Sequence, residues 1–251
     1  MPNFFLDYLP VEKICNALKK APGNELDSGK ISNPESSAAL AANTFGLFLE
    51  DPDDLPAIPG TEFFGWPAKT VCIEYCARFP WSGGRHPWLD AFVETASHII
   101  GIESKRYEPF RSRKTGELSQ AYWRPVWGKE MVPYERMRDQ VAKGERLFKH
   151  LDCVQLLKHA FGLRTEAHRR SKSPVLVYLY AEPLAWPDGR PIATSSLARH
   201  AAEASEFASS VEGAEVIFRT CTYANLLQTF LGSSSAEVRK HGQCIRDRFA
   251  P

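Results

Sequence analysis

Nowhere does the 251-residue sequence carry an apolar run near the ~20 residues a bilayer crossing requires, because the longest candidates are interrupted by Asn43, Asp90 or Glu94. A charge surplus is missing too. The 31 Lys+Arg face 30 Asp+Glu, which excludes an acid-rich disordered tail and a uniformly basic coat for nucleic acid. The opening MPNFFLDYLPVEK lacks a basic lead-in and sets Asp7 and Pro10 inside its short apolar stretch. It does not read as a secretory signal, and a cytoplasmic location is expected. Clustered cysteines are absent as well: of the six, only Cys72 and Cys76 are close. With His86 and His98 they would make a zinc set, but structural zinc usually pairs two tight ligand clusters and only one is here. Reduced thiols packed as small core residues are the reading that remains. There are no internal repeats and no low-complexity tracts.

What is present is apolar content: 43% of residues are hydrophobic and 12% aromatic, enough for a substantial core. A single domain over residues 1–251 is expected, with an insertion at about 107–143. The even charge balance hides an asymmetry. Lys105 to Lys172 holds 17 Lys+Arg against 8 Asp+Glu, a net of +9, and the rest of the chain carries −8. Within that basic stretch Arg106, Arg111, Arg113, Lys114 and Arg124 are interleaved with Tyr107, Phe110, Tyr122, Trp123 and Trp127. Cations neutralise phosphates and rings stack on bases or wedge a duplex, so these five residues are candidate nucleic-acid contacts. The alternative is a solvated insertion whose aromatics pack back on the body.

Helix-start chemistry at SNPESSAALAANTFGLFLE, with Asn33 to cap and Pro34 at the first position, predicts a helix over about Pro34–Leu49. KTVCIEYCARF has strand composition. LDAFVET and HIIGIESKR are two strand-like runs close enough for a hairpin. Leu147, Leu151, Val154, Leu157 and Phe161 keep helical spacing, closing near Gly162. PVLVYLYAEP is a continuous apolar run of the kind found in a central strand covered on both faces. A helix at about Ser196–Ser210, a strand at AEVIFRTCTY and a helix at about Asn225–Leu231 follow. This alternation predicts an α/β sandwich around one mixed sheet.

The chemistry is concentrated in HPWLDAFVETASHIIGIESKRYEPF. On a strand, Glu103 and Lys105 share one face about 6.6 Å apart, while Ile100, Ile102 and Ser104 point the other way. A hairpin would bring Asp90, on the preceding strand, alongside Glu103. Two carboxylates and an ammonium suit metal-assisted phosphodiester hydrolysis: the acids offer hard oxygens to Mg²⁺, and the lysine adds fixed positive charge near the phosphorus. Three further acids or amides are candidates for the same site. Glu74 lies centrally on the first strand; Glu35 sits early in the first helix, where dipole complementarity also explains it; Gln155 shares a helical face with His159.

An Asp at a strand start, then Glu-x-Lys on the adjacent strand, preceded by a helix and followed by a helix and another strand, resembles the PD-(D/E)XK nuclease superfamily. Within it, SSAALAANTFGLF, ESKRYEPF and QLLKHAFGL look like a group of uncharacterised restriction endonucleases. The resemblance implies a restriction-endonuclease-like αβββαβ core and Mg²⁺-dependent DNA cleavage, Mn²⁺ able to substitute, with Asp90 and Glu103 as metal ligands and Lys105 stabilising charge. The motif's proline is Pro87, three residues before Asp90 instead of immediately before it. Restriction or phage-defence cutting is the leading expectation. A structure-specific or exonucleolytic DNA-repair nuclease, and a catalytically silent nucleic-acid-binding protein of the same fold, are the alternatives. DNA is the expected partner, with RNA open; a homodimer would suit two-strand cutting, although no residue fixes an interface.

Overall fold

The continuous apolar run SPVLVYLY forms the strand Ser173–Tyr180, of which every residue after Ser173 is buried. It lies inside the sheet and is covered on both faces, as an uninterrupted hydrophobic strand requires. The computed structural model that shows this describes residues 4–112 and 116–251. In chain order the elements are α1 (Val11–Lys20), α2 (Ser37–Gly46), β1 (Thr70–Cys76), β2 (Trp88–Glu94), β3 (His98–Lys105), α3 (Val132–Ala142), α4 (Cys153–Arg170), β4 (Ser173–Tyr180), α5 (Thr194–Ser210), β5 (Ile217–Thr222), α6 (Tyr223–Leu231) and α7 (Ala236–Phe249).

The five strands make one mixed sheet in the order β1-β2-β3-β4-β5. β1, β2 and β3 run antiparallel to one another, and β3, β4 and β5 are parallel. Helices cover both faces. One core joins Val71, Ile73, Ala91, Val93, Ile100 and Ile102 to α1, α2, α6 and α7. The second joins Leu89, Phe92, Ile99, Leu176 and Tyr178 to α3, α4 and α5. The expected α/β sandwich is what forms. No helix among the described residues is long and apolar enough to cross a membrane.

The boundaries of two expected helices are corrected. The helix read from Pro34 begins at Ser37, because Ser36 and not Asn33 caps it: Ser36 Oγ accepts from Ala39 N, and Asn33 Oδ1 accepts from Glu35 N in the turn before. The helix read from Leu147 and as closing at Gly162 begins at Cys153, where Asp152 caps it by accepting from Gln155 N, and runs on to Arg170. Gly162 is not a terminator but a contact: a Cβ there would stand 2.7 Å from Pro87 Cγ and 2.9 Å from Ala77 Cβ and O. Helices α1, α3 and α7 carry no counterpart in the expected elements.

Candidate active site

Strand β3 presents its residues alternately without a break. Ser104 faces the first core, where its hydroxyl bonds Tyr223 Oη at 2.6 Å, so Glu103 and Lys105 face the second. Glu103 is buried there. Lys105 Nζ donates to Glu103 Oε1, and His159, on α4, brings Nε2 to 2.8 Å from Oε2. Apart from this contact, Glu103 Oε2 and both ring nitrogens of His159 are buried with no partner.

On β2 and β1 the alternation breaks. Ala91 and Val93 face the first core, yet Leu89, of the same parity, faces the second; likewise Val71 and Ile73 face the first and Tyr75 the second. The reversals fall at Asp90 and Glu74. Glu74 adopts φ 51°, a left-handed conformation that L side chains disfavour by about 1–2 kcal/mol. Tyr75 then reaches the second core and stacks on Phe92, with centroids 4.0 Å apart. The ladder runs Ile73↔Ala91 and Tyr75↔Leu89, which sets Glu74 across from Asp90. Extending Ala91↔Ile102 by one pair sets Asp90 across from Glu103. Three acids therefore occupy one row across three neighbouring strands. Asp90 does not continue the ladder: its Oδ2 accepts from Ser104 N at 2.6 Å, where β2 and β3 part.

The charges divide unevenly along the row. Burial pushes the Glu103 carboxyl up, but Lys105 and His159 outweigh it and hold the group at about 2. Burial likewise disfavours the Lys105 ammonium, and Glu103 and then Asp90 overcome this, raising it above the ordinary lysine range. The other two acids go the opposite way. Burial, then Glu103, raises Asp90 well above the carboxylate range against the pull of Lys105. Burial, Glu103 and Glu25 push Glu74 up to about 7. The one ammonium in the row acts on Glu103 and Asp90 and leaves Glu74 uncompensated, so the row holds more negative charge than it can ionise alone.

The remaining candidates lie elsewhere. Glu35 precedes α2 and pairs with Arg111, so it is neither in a helical first turn nor among the charges acting on Asp90. Gln155 is one turn before His159 on α4, and it is His159 that meets Glu103. Only the i,i+4 spacing with Gln155 pointed to that histidine. Arg106 is corrected outright as a nucleic-acid contact. It has Ser104's parity, lies buried on the opposite side from Lys105, and donates to the carbonyls of Pro34 and Phe249. Arg124 stacks over Trp81, with Cζ 4.4 Å from the ring centroid. Arg113 and Lys114 lie outside the described residues.

The aromatics of this stretch follow the packing alternative. Tyr122 and Trp127 are buried against Phe79 and Phe161, and Tyr107 is buried too; Trp123, 38% exposed, is the exception. The Cys72, Cys76, His86 and His98 set does not assemble: among the described residues no three His, Cys, Asp or Glu side chains are grouped to hold a metal ion, so the acid row could supply two protein ligands and not three. None of the six cysteines is in a disulfide.

No curated protein and no solved structure matches the chain. The family described as Restriction Endonuclease associating with ARP matches residues 12–232, from α1 to the end of α6. All five strands and the row of acids fall inside that span, and the chain belongs to this family of restriction endonucleases associating with ARP.

Proposed function

We propose that the protein is a Mg²⁺-dependent DNA endonuclease of restriction or phage-defence type, built as a PD-(D/E)XK nuclease with Asp90, Glu103 and Lys105 at its centre. The observation that carries this is the row Glu74, Asp90, Glu103 on three adjacent strands beside one buried ammonium, in which burial, and then Glu103, pushes the other two carboxyls up. A divalent cation fits that row. Asp90 has one oxygen committed to Ser104 and one remaining, and Glu103 Oε2 is buried with only His159 Nε2 beside it, at 2.8 Å. Two carboxylates suffice for Mg²⁺, which keeps several waters. When bound, the ion supplies a water of lowered pKa and an electrophilic contact to phosphate.

The chain's own groups do the rest. Glu103 fixes Lys105 Nζ in place, and the ammonium keeps its proton throughout the working pH range, so Lys105 acts as a fixed cation toward the phosphate and not as a base. His159 packs against Glu103 Oε2 and limits the carboxylate's rotation. The Ser104–Tyr223 bond anchors the far side of β3. Glu74 closes the outer end of the row.

The test is cutting of covalently closed circular DNA with Mg²⁺. Glu103→Gln and Lys105→Met are each expected to reduce the rate by about 10²–10³-fold, the scale of removing one preorganised group, with the circular dichroism spectrum unchanged. Wild-type rates in both variants contradict the assignment. A closed circle offers no end, so cutting also separates endonuclease from exonuclease action.

A further inference from the structure

Of the described cations in segment 107–143, Arg111 and Arg138 are paired and Arg124 is stacked, while Lys129, Arg136 and Lys143 stand exposed, so the path of the substrate's backbone is sought on the surface that adjoins the acid row. β1 is the edge strand, and a groove of about 770 Å³ opens between it and α1. Glu74, the outer member of the acid row, lines this groove, together with Lys13, Lys20, Arg78, Arg169 and the half-buried Trp88.

The charges here are available for exchange. Lys20 and Arg78 are exposed and have no ion-pair partner among the described residues. Lys13 pairs with Glu50 at 2.7 Å, but both side chains are more than half exposed. Such a surface pair is worth at most about 1 kcal/mol, so a phosphate can replace the carboxylate. Arg169 is held by Glu166 at 2.6 Å and by the carbonyls of Arg78 and Phe79; it shapes the wall more than it offers charge. Lys13 and Lys20 are seven residues apart, two helical turns or about 10.5 Å. Projected on a duplex axis, that length spans about three base-pair rises of 3.4 Å, enough for both lysines to meet phosphates. Trp88 supplies a ring at the end of β2, two residues from Asp90.

We propose that the α1–β1 groove carries the sugar–phosphate backbone of duplex DNA, with Lys13, Lys20 and Arg78 as phosphate contacts that lead the strand onto the acid row. This rests on the nuclease reading for its destination, while the binding it asserts is measurable without any cutting.

The experiment measures affinity for a fluorescent DNA duplex by anisotropy in EDTA, across a salt series, for the wild type, Lys20→Glu/Arg78→Glu and a charge-matched control, Arg124→Glu/Arg136→Glu, from the basic segment. The groove variant is expected to lose at least about tenfold in affinity and to lower the slope of log K against log salt by about 2, one per phosphate contact removed. The control is expected to stay within about twofold. Wild-type affinity and slope in the groove variant, or an equal loss in the control, overturns the proposal. So does an RNA duplex that competes as well as DNA. Thermal melts establish that both variants fold, and a pair such as Ala17→Arg/Asn16→Lys, which adds charge to the same wall, is expected to tighten binding even where the reversal variant folds poorly. Because metal is absent, failure of the catalytic assignment leaves this result intact, and failure of the groove leaves Glu103→Gln interpretable.

Discussion

Two histidines buried in this protein are held in opposite ways. His159 lies 2.8 Å from a carboxylate, whereas His241 has only neutral neighbours: Tyr8 Oη at 2.9 Å from Nδ1 and the Thr44 carbonyl at 3.1 Å from Nε2, with the rings of Phe48 and Phe230 around it. A carbonyl only accepts, so Nε2 carries the hydrogen and Nδ1 accepts from the tyrosine. Burial holds this imidazole down at about 4. An unfolded chain takes up the proton near 6.5, so between those values it binds more protons than the native state, and stability falls as pH falls. Urea unfolding is expected to show about 3 kcal/mol lost between pH 7 and pH 4 from this group, with a flatter profile in His241→Gln; equal slopes would contradict the account. At this scale strand parity was legible for some residues and overlooked for others. The alternation that put Ser104 opposite Glu103 also puts Arg106 opposite Lys105, and it is the buried guanidinium, not the sequence, that makes the consequence plain. The positive φ of Glu74 was not legible at all, since no glycine or asparagine marks it.

Among the elements, β1 to β5 were readable because apolar runs bounded by turns are local signals. Helix α4 was misread at both ends: Leu147 and Leu151 precede its Asp152 cap, and its glycine answers to Pro87 and Ala77, which are distant in sequence. Gly162→Ala would gain about 1 kcal/mol of helix propensity and lose more, on the order of 1–3 kcal/mol, to overpacking. A lowered melting temperature is expected, and an unchanged or raised one would mean that α4 does not lie this close to the β1–β2 end. That closeness is functional geometry, because α4 delivers His159 to Glu103. Helix α7 escaped notice because AEVRKHGQCIRDRF is mostly polar. Its core contacts are Val238, Ile245 and Phe249, and His241 occupies the same buried face.

Over the whole molecule, the +9 of residues 105–172 is reduced on folding. Acids from the rest of the chain offset part of it: Glu35 takes Arg111, Glu94 takes Arg170 and Lys172, Glu206 takes Arg146, and Glu215 takes Arg164. Charge counted along the sequence therefore overstates the patch, whereas one mixed sheet between helical layers followed from pattern alone. The fold concentrates its uncompensated charge instead at the row Glu74, Asp90, Glu103. The most direct measurement is a crystal soaked in Mn²⁺ and recorded at the manganese absorption edge. An anomalous peak in contact with both Asp90 and Glu103 is the predicted result. A map with no peak there, with Glu103 still closed on Lys105 at saturating Mn²⁺, would contradict it.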